Sequence, residues 1–201
     1  MKIICIGRNY AEHAKEMNSE IPTEPIFFMK PDTALLRENN FYYPEFTKDL
    51  HHEVELVLKV CKHGKHIDRE HAHLYYNEIG LGIDFTARDI QKACKEKGLP
   101  WEKAKAFDNS AILGNAFFPV SELQDPIEFS LRKNGDTVQK GSTADLLFSF
   151  DQLIVHISKY ITIKTGDLIY TGTPEGVGPV QIGDQLEGYI GEHSCFKLDI
   201  K

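Results

Sequence analysis

Much that would place a chain quickly is missing from these 201 residues. No apolar run approaches the roughly 20 residues that a membrane-spanning helix needs. The opening MKIICIGRNY has an apolar stretch too short for a secretory signal, with no cleavage pattern behind it. A cytoplasmic protein without membrane contact is the expectation. Basic residues are in the minority: 23 Lys and Arg stand against 30 Asp and Glu, a formal charge of −7. That argues against nucleic-acid binding, which needs a basic face. The four cysteines, Cys5, Cys61, Cys94 and Cys195, form no CxxC pair, so reduced and buried thiols are expected. There is no GxSxG elbow, Walker loop or dinucleotide-binding glycine fingerprint. Neither a repeat nor a low-complexity linker divides the chain, and residues 1–201 read as one domain.

What is present is a 41 % hydrophobic content, enough to fill a sizeable core. Apolar alternation and β-branched residues predict strands near 2–6, 54–60, 79–84, 111–117, 127–132, 167–171, 185–190 and 194–199. Helices are predicted at 10–17, 69–77, 87–97 and 150–160, with Thr86 capping the third and Gly98-Leu99-Pro100 ending it. Asn134-Gly135 predicts a tight hairpin, because both residues tolerate positive φ. The fold class is a strand-rich α+β domain.

The acidic chemistry centres on LHHEVELVLKV. Strand side chains alternate, so Glu53 and Glu55 share one face, which turns apolar at Val57. Two carboxylates there need solvent or a shared cation; an ordinary solvated face is the plain alternative. Asp84 ends the apolar run IGLGI, where it either projects into a strand–helix junction or serves a turn. Three hard oxygen donors suit Mg²⁺ or Mn²⁺ better than zinc. Six of nine histidines fall within 51–73, but their spacings match no zinc motif, and a solvated turn and helix start are expected there. On a helix over 10–17, His13 and Glu16 are neighbours at i and i+3. A carboxylate beside an imidazole can prepare it to activate water, although such a pair is also a common surface contact. The glycines and prolines of YTGTPEGVGP describe a loop whose amides could cradle a carboxylate or oxyanion, or simply close a hairpin.

Taken in order, GRNYAEHAKEM (7–17), FFMKP (27–31), HHEVEL (51–56), GIDFTARDIQ (82–91), KGLPWEKAKAFD (97–108) and TGTPEGVGPV (171–180) resemble the fumarylacetoacetate hydrolase family, with the match nearest its short acylpyruvase branch. The resemblance implies a mixed β-roll and a homodimer. It puts Glu53, Glu55 and Asp84 on metal-ligand positions, and His13 and Glu16 on a water-activating dyad carried by a segment that closes over the site. Lys105 and Thr173 fall on positions that hold a substrate carboxylate, with Arg8 and Gln91 as additional contacts. After Lys105 the chain reads AFDNSAILG and lacks the Cys-Pro frequent in the family, a departure bearing on the acyl pocket.

The implied activity is metal-dependent hydrolysis of acylpyruvates to pyruvate and a carboxylate, with a small anionic keto acid as substrate. Rival activities are decarboxylation or keto–enol tautomerisation of oxaloacetate and isomerisation of a 2-hydroxy-dienedioate. From a different class comes a non-catalytic binder of metal and dicarboxylates. A cation at the site would also reverse, locally, the field of an acidic protein.

Overall fold

The computed structural model describes residues 1–17 and 19–201. Three sheets, numbered along the chain, organise them. The largest is mixed and runs β2 (Phe27–Lys30), β1 (Ile3–Ile6), β12 (Leu168–Tyr170), β6 (Val54–Val60), β7 (Tyr76–Asp84), β9 (Ala111–Pro119) and β3 (Leu35–Leu36). A second contains β11 (Asp136–Ser142), β10 (Glu128–Lys133), β14 (Gln185–Ile190), β15 (His193–Ile200) and β4 (Asn40–Phe41). A small third sheet joins β13 (Gly178–Pro179), β5 (Leu50–His52) and β8 (Thr86–Ala87). The helices are α1 (Ala11–Glu16), α2 (Arg88–Glu96), α3 (Glu102–Lys105) and α4 (Phe150–Tyr160). No helix among the described residues is long and apolar enough to cross a membrane. The strand-rich α+β class expected from the pattern is what forms.

β6 explains where the core and the site divide. Val54, Leu56 and Leu58 enter the main apolar cluster with Ile79, Leu81, Phe129 and Leu186, between the two large sheets. The opposite face carries Glu55 and then Val57, which joins a smaller cluster with Ile3, Cys5 and Tyr170. Burying a side chain such as Leu56 stabilises by about 1.5–3 kcal/mol, so a one-residue register slip is strongly opposed. The alternation therefore fixes the glutamates on the face away from the main core.

Several expected elements change character. The hairpin forms at Asn134 and Gly135, both with positive φ (55° and 92°), between β10 and β11. The expected helix at 69–77 is instead a 3₁₀ segment over Arg69–Tyr75, because Tyr76 already belongs to β7 and pairs with Val60. Thr86 does not cap α2. Its backbone is held extended in β8 opposite His51, its hydroxyl donates to the Asp84 carbonyl, and Ala87 takes the N-cap position without a side-chain bond. Asp89 supplies the acidic first turn and accepts from Thr47 and from the Lys48 and Ile90 amides. Gly98, at φ 62°, ends the helix as expected. The pattern gave no warning of β2, which runs from half-buried Phe27 and Phe28 through exposed Met29 to buried Lys30. All four cysteines are free, Cys61 being the one not buried.

Candidate active site

Glu53 precedes β6 and Glu55 lies within it, while Asp84 ends the neighbouring β7. The three carboxylates, all buried, offer oxygen atoms lying within 4.8 Å of one another. Three cations face them. Lys105 Nζ, at the end of α3, sits 2.7 Å from Glu53 Oε2 and 2.8 Å from Asp84 Oδ2. Arg88, at the start of α2, reaches Glu53 Oε1 at 2.5 Å. Lys30, in β2, lies 2.7 Å from Asp84 Oδ1. It also donates to the Lys105 and Ser110 carbonyls and to Ser110 Oγ.

Among the described residues, Asp84 Oδ1 has the Lys30 ammonium as its neighbour and no other donor, and Glu55 has the Gly172 N–H alone. Three buried carboxylates this close together favour a further cation among them. The donor set is entirely carboxylate, so the site fits a hard divalent ion such as Mg²⁺ or Mn²⁺. Lys105 holds the ground between Glu53 and Asp84 that such an ion would claim. None of the histidines at 51–73 joins a metal-ligating cluster among the described residues. His52 is not in a solvated turn: it is buried, its Nδ1 bonds Gln139, and burial lowers its pKa to about 4.

The two glutamates differ sharply. Burial alone would raise both. At Glu53 the charges of Lys105 and then Arg88 overcome it and hold the carboxyl well below the ordinary range. At Glu55, burial, Asp84 and Glu53 all push the pKa up, and the Gly172 N–H at 2.7 Å offsets only part. Lys105 is raised: burial works against its charge, but Asp84 and Glu53 prevail.

α1 lies over this floor. His13 Nδ1 is 3.1 Å from Glu16 Oε2, so an N–H there donates to the carboxylate and leaves Nε2 as the free nitrogen. Glu16 Oε1 accepts from the Gly176 amide at 3.0 Å. The loop 171–180 thus cradles carboxylates, but they are the protein's own: Gly172 holds Glu55 and Gly176 holds Glu16. Gly172 has φ 102° and packs where a Cβ would come within 2.6 Å of Asn9 Cβ. Asn9 in turn ties the start of α1 to this loop by donating to the Thr171 carbonyl at 2.8 Å.

Arg8, His13, Gln91, Lys105 and Thr173 all line one pocket with Glu53 and Glu55. Thr173 contributes differently from expectation. Its hydroxyl donates to the Val54 carbonyl at 2.8 Å and accepts from Gln139 Nε2 at 2.9 Å, so its proton is already used. Gln91 accepts from Arg88 through Oε1, which leaves its amide protons for a ligand. Sequence reasoning passed over Lys30, Arg88, Asn9 and Gln139, as well as the pocket walls Phe28, Lys95 and Trp101. Lys30 and Arg88 stand inside segments already singled out, FFMKP and TARDIQ. With α1 in place the free volume is about 30 Å³, roughly one water, so a keto acid enters only if α1 or Lys105 moves.

Residues 2–200 match the family described as fumarylacetoacetate (FAA) hydrolase C-terminal. The chain is 44 % identical to the mitochondrial oxaloacetate tautomerase of Mus musculus over 99 % of its own length and 91 % of that protein. It is also 44 % identical to an oxaloacetate tautomerase of Escherichia coli (strain K12), covering 96 % of this chain and 90 % of that one. Among solved structures, fumarylpyruvate hydrolase from Pseudomonas aeruginosa in complex with Mn²⁺ and pyruvate is similar, with a TM-score of 0.93 and 35 % identity. That match covers 100 % of this chain and 89 % of the other.

Proposed function

The chain belongs to the fumarylacetoacetate hydrolase family, and on that premise we propose a metal-dependent enzyme whose leading activity is keto–enol interconversion of oxaloacetate. The observation that carries the reading is the buried carboxylate cluster Glu53, Glu55 and Asp84, of which Glu53 and Glu55 line one pocket with His13 of the His13–Glu16 pair. Acylpyruvate hydrolysis, placed first on sequence, moves to second, because the relatives at 44 % identity are oxaloacetate tautomerases. One catalytic unit over 1–201 and a homodimer, both expected from the resemblance, are kept as parts of this proposal.

Held by Glu53, Glu55 and Asp84, Mg²⁺ or Mn²⁺ would polarise the 2-keto group and stabilise negative charge on its oxygen. His13 Nε2 removes a proton from C3, and Glu16, fixed by Gly176, steadies the resulting imidazolium. Lys105, drawn off the carboxylates, donates to the C2 oxygen as charge develops and supplies its proton. Solvent exchange then returns both groups to their starting states. α1, Phe28 and Trp101 keep bulk water from the carbanion-like centre. In the second reading His13 deprotonates a water that attacks the distal carbonyl of an acylpyruvate, and the C–C bond breaks to give pyruvate. The intact dyad and the similarity to fumarylpyruvate hydrolase favour keeping it.

The test follows ketonisation of enol-oxaloacetate and pyruvate release from oxaloacetate, acetylpyruvate and fumarylpyruvate, with Mg²⁺, for the parent and His13→Ala. The parent is expected to speed ketonisation with little pyruvate release, and His13→Ala to lose about 10²–10⁴-fold. Faster pyruvate release from an acylpyruvate would restore the hydrolase. Pyruvate from oxaloacetate that survives in His13→Ala would mean decarboxylation, which needs no base. No turnover of any substrate would leave a binding protein.

A further inference from the structure

The pocket has a second, cationic wall that the carboxylates do not neutralise. Glu53 and Asp84 engage Lys105, Arg88 and Lys30. Two cations remain. Among the described residues neither Arg8 nor Lys95 makes a salt bridge, yet both line the pocket. On α2, Arg88, Gln91 and Lys95 fall at i, i+3 and i+7, one helix face, and all three line it. Lys95 Nζ lies 5.5 Å from the centre of the Trp101 ring, a cation–π contact that limits where the ammonium swings. Lys95 is exposed overall, but partial desolvation and the charges of Arg88, Arg8 and Lys105 lower its pKa. A protein of formal charge −7 thus keeps Arg8 and Lys95 without a salt-bridge partner, among the described residues, in the lining of its pocket.

We infer that Lys95, with Arg8 beside it, receives a second carboxylate of the substrate and so selects dicarboxylic keto acids over monocarboxylic ones. The inference rests on the keto-acid reading above and deepens it. With a divalent cation held by Glu53, Glu55 and Asp84, the 2-keto group and adjacent carboxylate of a 2-keto acid would be drawn to that cation, leaving its far end for the α2 wall. There a carboxylate meets two cations and the free amide protons of Gln91, whereas a methyl group would leave them unpaired. Trp101 and Phe28 supply the apolar side of the same chamber. An isolated surface lysine would lack this company.

The experiment uses Mg²⁺-loaded protein and two unreactive ligands of equal chain length, malate and 2-hydroxybutyrate, which differ in the terminal carboxylate. Titration calorimetry is run on the parent, Lys95→Met and Lys95→Arg, alongside KM and kcat for oxaloacetate and acetylpyruvate. The parent is expected to favour malate by about 10- to 100-fold, the usual worth of a charge-assisted contact. Lys95→Met should lose most of that preference and raise KM for oxaloacetate by a larger factor than KM for acetylpyruvate. Lys95→Arg should restore the preference. Equal weakening of both ligands, or an unaltered preference in Lys95→Met, overturns the assignment. A parent that turns over neither keto acid but still shows a Lys95-dependent malate preference would overturn the proposed activity and leave the selector standing.

Discussion

Glu53 and Glu55 stand two residues apart on one strand face, both buried, and their charges are managed in opposite ways. Glu53 faces the helical side, where Lys105 and Arg88 compensate it fully. Glu55 faces the loop side, where a single backbone N–H, that of Gly172, is its hydrogen-bond partner. One glutamate is thus a member of a preformed ion network, and the other is held as a latent ligand. A buried carboxylate with raised pKa is costly only while charged, and either a proton or an arriving cation relieves it. The lesson is that a metal site can be half assembled by internal cations and half left to the metal.

The contrast should disappear when the metal binds, and this is the largest expected effect. Glu53→Gln, Glu55→Gln and Asp84→Asn should each weaken Mg²⁺ affinity by more than about 100-fold, beyond what loss of an outer-sphere partner costs. Calorimetric titration checks this, and an affinity insensitive to Glu55→Gln would break the pairing of the two glutamates. In EDTA the parent should lose all keto–enol activity and regain it with Mg²⁺ or Mn²⁺.

Without metal the two sides should separate in stability. Glu53→Gln leaves Arg88 without its carboxylate and Lys105 with Asp84 alone, and should destabilise the apo protein by about 3–5 kcal/mol. Glu55→Gln removes a carboxyl the fold already prefers neutral, and the apo protein should be as stable as the parent or more so. Urea denaturation at neutral pH measures both. Equal losses would mean that the glutamates share one environment after all.

The same contrast has a pH signature. Glu55 is raised in the folded state, so its proton is retained while the unfolded chain ionises near 4.5, and stability falls as pH rises. Glu53 is depressed, so its contribution is present above 4.5 and is lost as pH falls through the lower folded value. The metal-free parent should therefore fall behind Glu55→Gln from about pH 5 upward, with no gap at pH 4. Thermal melts across that range should show it, and saturating Mg²⁺ should reverse the order. The smallest effect is expected at Thr173, which braces the loop side: Thr173→Val should cost about 1 kcal/mol and Thr173→Ser nearly nothing.

How much of this was legible depended on the range of the interaction. Period-two alternation in VELVLKV placed Glu53 and Glu55 together and Val57 beyond them, and the structure follows that pattern. Local spacing also joined His13 to Glu16. The 3₁₀ segment at 69–75 and the failed Thr86 cap were misjudged because long-range pairing, Tyr76 with Val60 and Thr86 with His51, overrode local preference. Order-based resemblance covered nearly the whole chain and put Thr173 at the substrate carboxylate, but it carried no record that the Thr173 hydroxyl bonds Val54 and Gln139.

By itself, then, the sequence determined the strand-rich class, the shared face of the two glutamates, the His13–Glu16 pair and the Asn134-Gly135 turn. All are consequences of side-chain spacing within one element or one turn. Only the tertiary structure decided which cation meets which carboxylate. Lys30, Lys105 and Arg88 come from three different elements, 75 positions apart along the chain at the widest (105 − 30), and converge on Glu53 and Asp84. Buried charge is paired through space, over a few ångströms, and periodicity along a chain carries no record of such distances.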